Sequence, residues 1–159
     1  MTPKKDPHDP DLARNRRALH EYHVLERFEA GLELSGTEVK ALRAGRGQIT
    51  EAFVRVERGE AWLIQAHIGE YEMGNRQNHV AERRRRLLLH RREITYLDLE
   101  MRQGGLTMVP LRLYLKANRI KAEIALVRGK KLWDKRQTIA ERDSRRDAER
   151  EMARSRRAG

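Results

Sequence analysis

The stretch "YHVLERFEAGLELSGTEVKALRAG", residues 22–45, changes its hydrophobic period part-way along, and that change decides the fold. Up to Leu34 the residues alternate. Val24, Phe28, Ala30, Leu32 and Leu34 share one face, while Leu25, Arg27, Glu29 and Glu33 share the other. Period-two alternation is the mark of a half-buried β-strand. "SGTE" follows as a capping box, with Ser35 as N-cap and Glu38 at the third helical position. A short helix over 37–44 is expected, burying Val39 and Leu42 and stopping at Gly45.

The same two periods recur outward from this point. "AFVRVERGEAWLIQAHI", residues 52–68, reads as a hairpin turning near Arg58-Gly59. "GNRQNH" at 74–79 is loop, and "RRRRLLLH" at 83–90 is a basic run leading into a short strand. Residues 93–103 are helical, with Ile94, Leu97 and Met101 on one side and Gly104-Gly105 closing the helix. A second hairpin has Val109, Leu111, Leu113 and Leu115 alternating, then Ile120, Ala122, Ile124 and Leu126, with "KANR" at its turn. About six strands and two or three short helices therefore precede Arg128. The fold class is mainly β: a small antiparallel barrel of OB type. A split barrel or an α+β sandwich fits the same element list. No repeat of 20–50 residues is visible.

The ends differ from this middle. The chain has 159 residues, 37% of them charged, and a hydrophobic share of 38%, below the roughly 45–50% of a typical globular chain. The opening "MTPKKDPHDP" holds three of the four prolines and no apolar signal region, so residues 1–13 read as a disordered lead. The expected body is 14–131 and the expected tail 132–159. No apolar run approaches the roughly 20 residues of a membrane span. The absence of cysteine excludes disulfides and thiolate metal sites, and fits the cytoplasm.

The net charge is +11 and the isoelectric point about 10.5. That favours a polyanionic partner, nucleic acid before an anionic membrane. Residues 129–159 hold 11 Lys/Arg against 6 Asp/Glu, a net +5 that leaves +6 for the rest. Arg142, Arg146, Arg150 and Arg154 recur every fourth residue, with Asp143, Asp147 and Glu151 one position later. On a helix these make two adjacent ridges joined by i,i+3 pairs, each contributing only about 0.2–0.5 kcal/mol. With few apolar residues, such a segment is expected to be disordered alone and helical against a polyanion. A solvated helix without a partner is the plainer alternative. Trp133 lies among Lys130, Lys131, Lys135 and Arg136, where an aromatic can stack on a base while its neighbours hold phosphates. Leu132 and Trp133 could equally cap the core.

Nothing in the chain points to catalysis. His20 and His23 fall on opposite faces of a strand, His67, His79 and His90 are scattered, and none has a metal spacing. "GRG" at 45–47 falls short of a phosphate-binding fingerprint, and no GxSxG exists. No enzyme, cofactor or metal is expected.

Taken together, "FEAGLELSGTEVKALRAG", "GNRQNH", "RLLLHRREI", "VPLRLYLKANRIKAEIALVRGKKLWDKR" and "TIAERD" closely resemble the SsrA-binding protein (small protein B) family, over about residues 15–143. The resemblance implies an OB-like barrel with embedded helices and a basic C-terminal tail. It implies binding to the tRNA-like part of transfer-messenger RNA and delivery of that RNA to ribosomes stalled without a stop codon. The tail would lie along the empty mRNA path. EF-Tu on the charged RNA is a further implied partner, and a monomer is expected. The chain departs from the family pattern at Gln77, at Val80-Ala81, in its arginine-rich tract and at Ser144.

Carried over by position, the family's RNA contacts match Asn15, Glu29 and Leu88. Arg16 and Arg17 adjoin the first, and His90 follows the last. Without the resemblance Glu29 would be a surface carboxylate paired with Arg27 or a lysine, and Leu88 would be core, as central leucines usually are. A carboxylate facing RNA can accept from base amino groups or a 2′-hydroxyl. Lys40, Arg43 and Arg46 extend from the short helix towards phosphates, as Lys130 and Lys131 do from the hinge. Ribosomal contacts are implied for His20 and for Asp134, Lys135 and Arg136, with Arg142, Arg146, Arg150 and Arg154 along the tail. A structural ribosomal or initiation-type OB protein bound to rRNA is the competing reading.

Overall fold

The computed structural model describes residues 11–71 and 78–130, together with Arg146, Arg150 and Met152. In chain order the elements are β1 (Asp11–Arg14), α1 (Ala18–Glu21), β2 (Tyr22–Leu32), α2 (Gly36–Arg43), β3 (Gly47–Gln48), β4 (Phe53–Glu57), β5 (Glu60–Ile64), β6 (His67–Ile68), β7 (Arg85–Leu88), α3 (Arg91–Arg102), β8 (Leu106–Lys116) and β9 (Arg119–Gly129). Six strands close an antiparallel ring in the order β8–β4–β5–β7–β2–β9 and back to β8. β1 lies on the far half of β8, and β3 pairs with β6 as a separate two-stranded piece. This is the closed barrel expected from the alternation, with three short helices among the described residues.

Both hairpins turn where the sequence puts them. Arg58-Gly59 and Ala117-Asn118 each have two consecutive residues at positive φ, the backbone of a two-residue turn whose twist matches the strands. α2 begins on the expected capping box: Ser35 Oγ accepts from the Glu38 N–H, and Glu38 Oε1 from the Ser35 N–H at 2.9 Å. The inside of the ring is filled by Phe28, Val54, Leu63, Leu87, Met108 and Ile124, and α2 and α3 add Leu42 and Leu97 to it. α1 sits instead on the outer face, where Ala18 covers Val109, Ala125 and Val127.

The alternation is interrupted twice. β2 slips by one residue against β9 between Val24 and Glu26, and β8 slips between Pro110 and Arg112. Each extra residue reverses which face the following side chains occupy. Val24, Val109 and Leu111 therefore pack in the outer cluster, not with Phe28, Leu113 and Leu115 in the ring. The proline sits at the slip, where its missing N–H leaves no ladder bond broken.

The body also begins earlier than the composition indicates. Residues 11–13, placed in the lead with the proline-rich stretch before them, pair with β8 and bury Ala13. A strand needs only one apolar residue on the inward face when its neighbour supplies the hydrogen bonds, so composition passes it over.

Glu38 is fully buried, as is Arg85 from the arginine tract. Arg85 Nε donates to Glu38 Oε2, Nη1 to the Ala66 carbonyl at 2.7 Å and Nη2 to the Ala81 carbonyl at 2.9 Å. Burial raises the Glu38 pKa, but donors from Arg83, the Ser35 N–H and Arg85 outweigh it and hold the carboxyl below its ordinary range. Arg84 pairs with Glu57 at 2.7 Å, its guanidinium over the Trp62 ring, and Arg86 pairs with Glu60. The tract that departs from the family pattern is thus tied into the barrel wall.

Residues 130–159 form a second unit. Within it Arg146, Arg150 and Met152 are helical and exposed. Lys131, Asp134, Lys135, Arg136, Arg142 and Arg154 lie outside the described residues, as do Gln77 and Ser144.

Candidate RNA-binding surface

The outer face of β2, β9 and β8 carries a continuous polar network, which lies beyond the slip in β8. Past Pro110, Arg112 and Tyr114 face outward, beside Arg27 and Glu29 of β2 and Glu123 of β9. Arg112 Nε donates to Glu123 Oε2 at 3.1 Å, and Nη1 to Asp11 Oδ1 at 3.1 Å. Its guanidinium lies 3.9 Å from the Tyr114 ring centroid. The Tyr114 hydroxyl donates to Glu29, and Lys116 Nζ donates to the same carboxylate at 3.2 Å. Arg27 reaches Glu123 at 3.3 Å.

Glu29 and Glu123 face each other across the ladder. Directly opposed like charges repel, and the surrounding donors offset that repulsion. Burial disfavours the charge on Glu29, yet the bonds from Tyr114 and Lys116 prevail and set its pKa below the usual value. Burial, and then the Glu29 carboxylate, push the Tyr114 phenol well above its ordinary range. Glu29 is therefore ionised at neutral pH. A carboxylate has about four lone-pair sites, so it keeps acceptor capacity for a further donor.

Of the residues matched to RNA contact, three share this face. Asn15 is buried; its N–H donates to the Leu111 carbonyl at 2.8 Å and its Nδ2 to the Pro110 carbonyl at 3.0 Å. Leu88 follows on β7, opposite Gly31 and half exposed, not in the core where central leucines usually lie. A side chain at Gly31 would come within 3.1 Å of Leu88 Cβ, so the glycine leaves room for it on this face. Arg16 is exposed beside Asn15, and Arg17 pairs with Glu51 at 3.4 Å. His90 caps α3, exposed, its N–H donating to Glu93 Oε1 at 3.1 Å. His20 is exposed on α1.

Lys40, Arg43 and Arg46 are gathered by α2 and its exit, all exposed. Lys40 Nζ stands 5.7 Å from the Tyr71 ring centroid, and Arg46 Nη1 donates to the Glu70 carbonyl at 2.9 Å. Nearby, Asn78 Oδ1 and Nδ2 both bond the Tyr71 backbone, and His79 joins Thr37 to the Ile68 carbonyl at 2.9 Å each. Lys130 directly follows β9.

Arg112, Tyr114 and Glu123 are absent from the sequence-derived set. Alternation through "VPLRLYLK" already sets Arg112 and Tyr114 opposite Leu113 and Leu115, on the side of Glu29, and what the slip adds is Val109 and Leu111 on that same outer side. The proline inside an otherwise apolar strand is the one local sign of that slip.

Comparison with known proteins gives a consistent result. The family model described as "SmpB protein" matches residues 12–154. The SsrA-binding protein of Thermobifida fusca is 52% identical over 145 residues, 91% of either chain. That of Carboxydothermus hydrogenoformans is 50% identical over 141 residues, 89% of this chain and 95% of the relative. That of Parafrankia sp. is 54% identical over 143 residues, 90% of either chain. A solved chain described as "tmRNA-SmpB: a journey to the center of the bacterial ribosome" superposes with a TM-score of 0.64 at 46% identity, covering 75% of this chain and 84% of that one. With its barrel, its capping box and its sequence all of one pattern, the chain belongs to the SmpB protein family.

Proposed function

We propose that this protein is an RNA-binding adaptor. It holds the tRNA-like domain of transfer-messenger RNA and brings it to ribosomes stalled without a stop codon, with residues 132–159 in the empty mRNA path. The observation that carries this reading is the likeness, at 46% identity, to a chain described with tmRNA and the bacterial ribosome. The outer-face network supports it physically. An ionised Glu29 among cations and an aromatic ring offers shape-specific acceptors and donors where RNA displays hydroxyls and base edges. The net charge of +11 supplies the sequence-independent attraction to phosphate. The chain acts in the cytoplasm as a monomer, without catalysis of its own, and meets EF-Tu through the charged RNA.

Affinity purification of the tagged chain from its own cells, followed by sequencing of bound RNA, tests this. One discrete tRNA-ended species, enriched over rRNA and rising when ribosomes stall, is expected. Recovery of rRNA alone, constant with growth condition, would make the chain a permanent ribosomal component.

A further inference from the structure

Two buried side-chain atoms among the described residues have no hydrogen-bond partner, Asn15 Oδ1 and Arg112 Nη2. Both residues line one cleft of about 430 Å³ between α1 and β8. Every other polar group on these two side chains is engaged. Asn15 Nδ2 is held by the Pro110 carbonyl, and Arg112 Nε and Nη1 by Glu123 and Asp11, with the guanidinium packed on Tyr114. The two side chains are thus fixed by their surroundings, each with one atom left over. One is an acceptor and the other a donor. An unpaired buried polar group of this kind costs roughly 5- to 150-fold in an equilibrium constant, and a ligand that pairs it recovers that factor.

The chemistry of the rim names the ligand. Arg14 and Arg16 flank the opening, both exposed, and Arg16 forms no ion pair among the described residues. Leu19 and Leu111 give the cleft an apolar side, Leu19 being 60% exposed. Exposed cations at the rim, an apolar wall and an unpaired donor and acceptor on two lining residues suit a phosphate, a sugar or base ring, and one group that both gives and takes a hydrogen bond. The volume lies at the small end for ligand sites, enough for a single nucleotide and too little for a duplex.

We propose that this cleft is a nucleotide pocket. One nucleotide of the bound RNA enters past Leu19 and Arg16 and sets its phosphate on Arg16. Its ribose 2′-hydroxyl or base edge then bridges Asn15 Oδ1 and Arg112 Nη2. Arg112 is on this account a specificity residue for RNA, because a 2′-hydroxyl is donor and acceptor at once. The pocket deepens the RNA-binding reading above and rests on it.

The test uses the full chain and synthetic tRNA-like domain carrying single 2′-deoxy or single abasic substitutions, each titrated against wild type and Arg112→Lys. At one nucleotide, wild-type affinity is expected to fall about 5- to 150-fold. In Arg112→Lys, which keeps the positive charge but not the second donor, the same RNA substitution should cost less than about 2-fold. Sensitivity to 2′-deoxy substitution assigns the bridging group to the ribose, and sensitivity to base removal assigns it to the base. If Arg112→Lys does not fold, Asn15→Ala completes the cycle. The wild-type scan stands without either variant, and a scan with no sensitive position overturns the pocket, as does sensitivity unchanged in a folded variant. The orphan atoms then hold only internal water. Failure of wild type to bind the unmodified RNA at all would instead overturn the adaptor reading beneath it.

Discussion

Glu38 serves two structures at once, capping α2 through the Ser35 N–H and neutralising Arg85 inside the barrel wall. Removing one member of such a pair leaves an uncompensated buried charge. Glu38→Gln is expected to lower the unfolding free energy at pH 7 by about 3–5 kcal/mol, read by urea denaturation. The pH dependence follows from its depressed pKa. A carboxyl whose folded value lies below its unfolded one contributes stability that is full above the unfolded value, about 4.3, and is lost as pH falls through the folded value. The gap between wild type and Glu38→Gln should therefore narrow on going from pH 7 to pH 3. A gap that stays constant would mean that Glu38 acts by shape alone. Glu29 makes a separate prediction with a definite sign. The segment before Gly129 carries a net +6, so loss of one negative charge would strengthen RNA binding by long-range attraction. If Glu29 accepts hydrogen bonds from RNA, Glu29→Ala weakens binding by about 1–3 kcal/mol with its salt slope unchanged. Titration at several salt concentrations gives the answer, and equal or tighter binding would leave Glu29 as a partner for Tyr114 and Lys116 only.

At the scale of elements, the β8–β9 hairpin turns through Ala117 and Asn118, both at positive φ. The location of that turn is readable from "KANR" between two apolar alternations, but its backbone is not, since alanine disfavours the left-handed region. Exchanging the pair to Asn-Gly, by Ala117→Asn with Asn118→Gly, matches the turn's preferred residues. Stability should rise by about 1 kcal/mol, seen as a melting temperature higher by about 4 °C. No gain, or a loss, would show that the turn is not under strain. The slips in β2 and β8 belong to the same scale. Each bends a long strand so that it can serve two neighbours: β8 pairs with β4 at Met108 and with β1 at residues 112–114, while β9 runs along its whole length. A barrel needs such bends to close, and beyond the bend in β8 Arg112 and Tyr114 lie on the outer face with Glu29.

For the whole molecule, the two basic regions are expected to divide the work. The body holds the outer-face network, while the C-terminal unit places Arg146 and Arg150 on an exposed helical ridge. Truncation after Lys131 should leave affinity for the tRNA-like domain nearly intact, measured by titration, and abolish tagging of stalled products in a reconstituted translation system. Loss of RNA binding on truncation would show that the tail is part of the RNA site. Tagging that survives truncation would remove the tail from the ribosomal step.

Local patterns sufficed for the capping box, the two hairpin turns, the helix closed by Gly104-Gly105 and the mainly β character, because each rests on interactions within a few residues. Residue order and spacing likewise carried the family, and with it Asn15, Glu29 and Leu88 as positions of interest. Tertiary structure alone decided three things. It brought residues 11–13 into the barrel, since a strand's hydrogen-bonding partner lies about a hundred residues away at β8. It buried Arg85 from a run of four arginines, because its partner Glu38 comes from another element. It reversed the faces of β2 and β8 at their slips, moving Val24, Val109 and Leu111 to the outer side. In all three the deciding interaction spans strands that are distant in sequence, where periodicity along one strand carries no information about the register against the next.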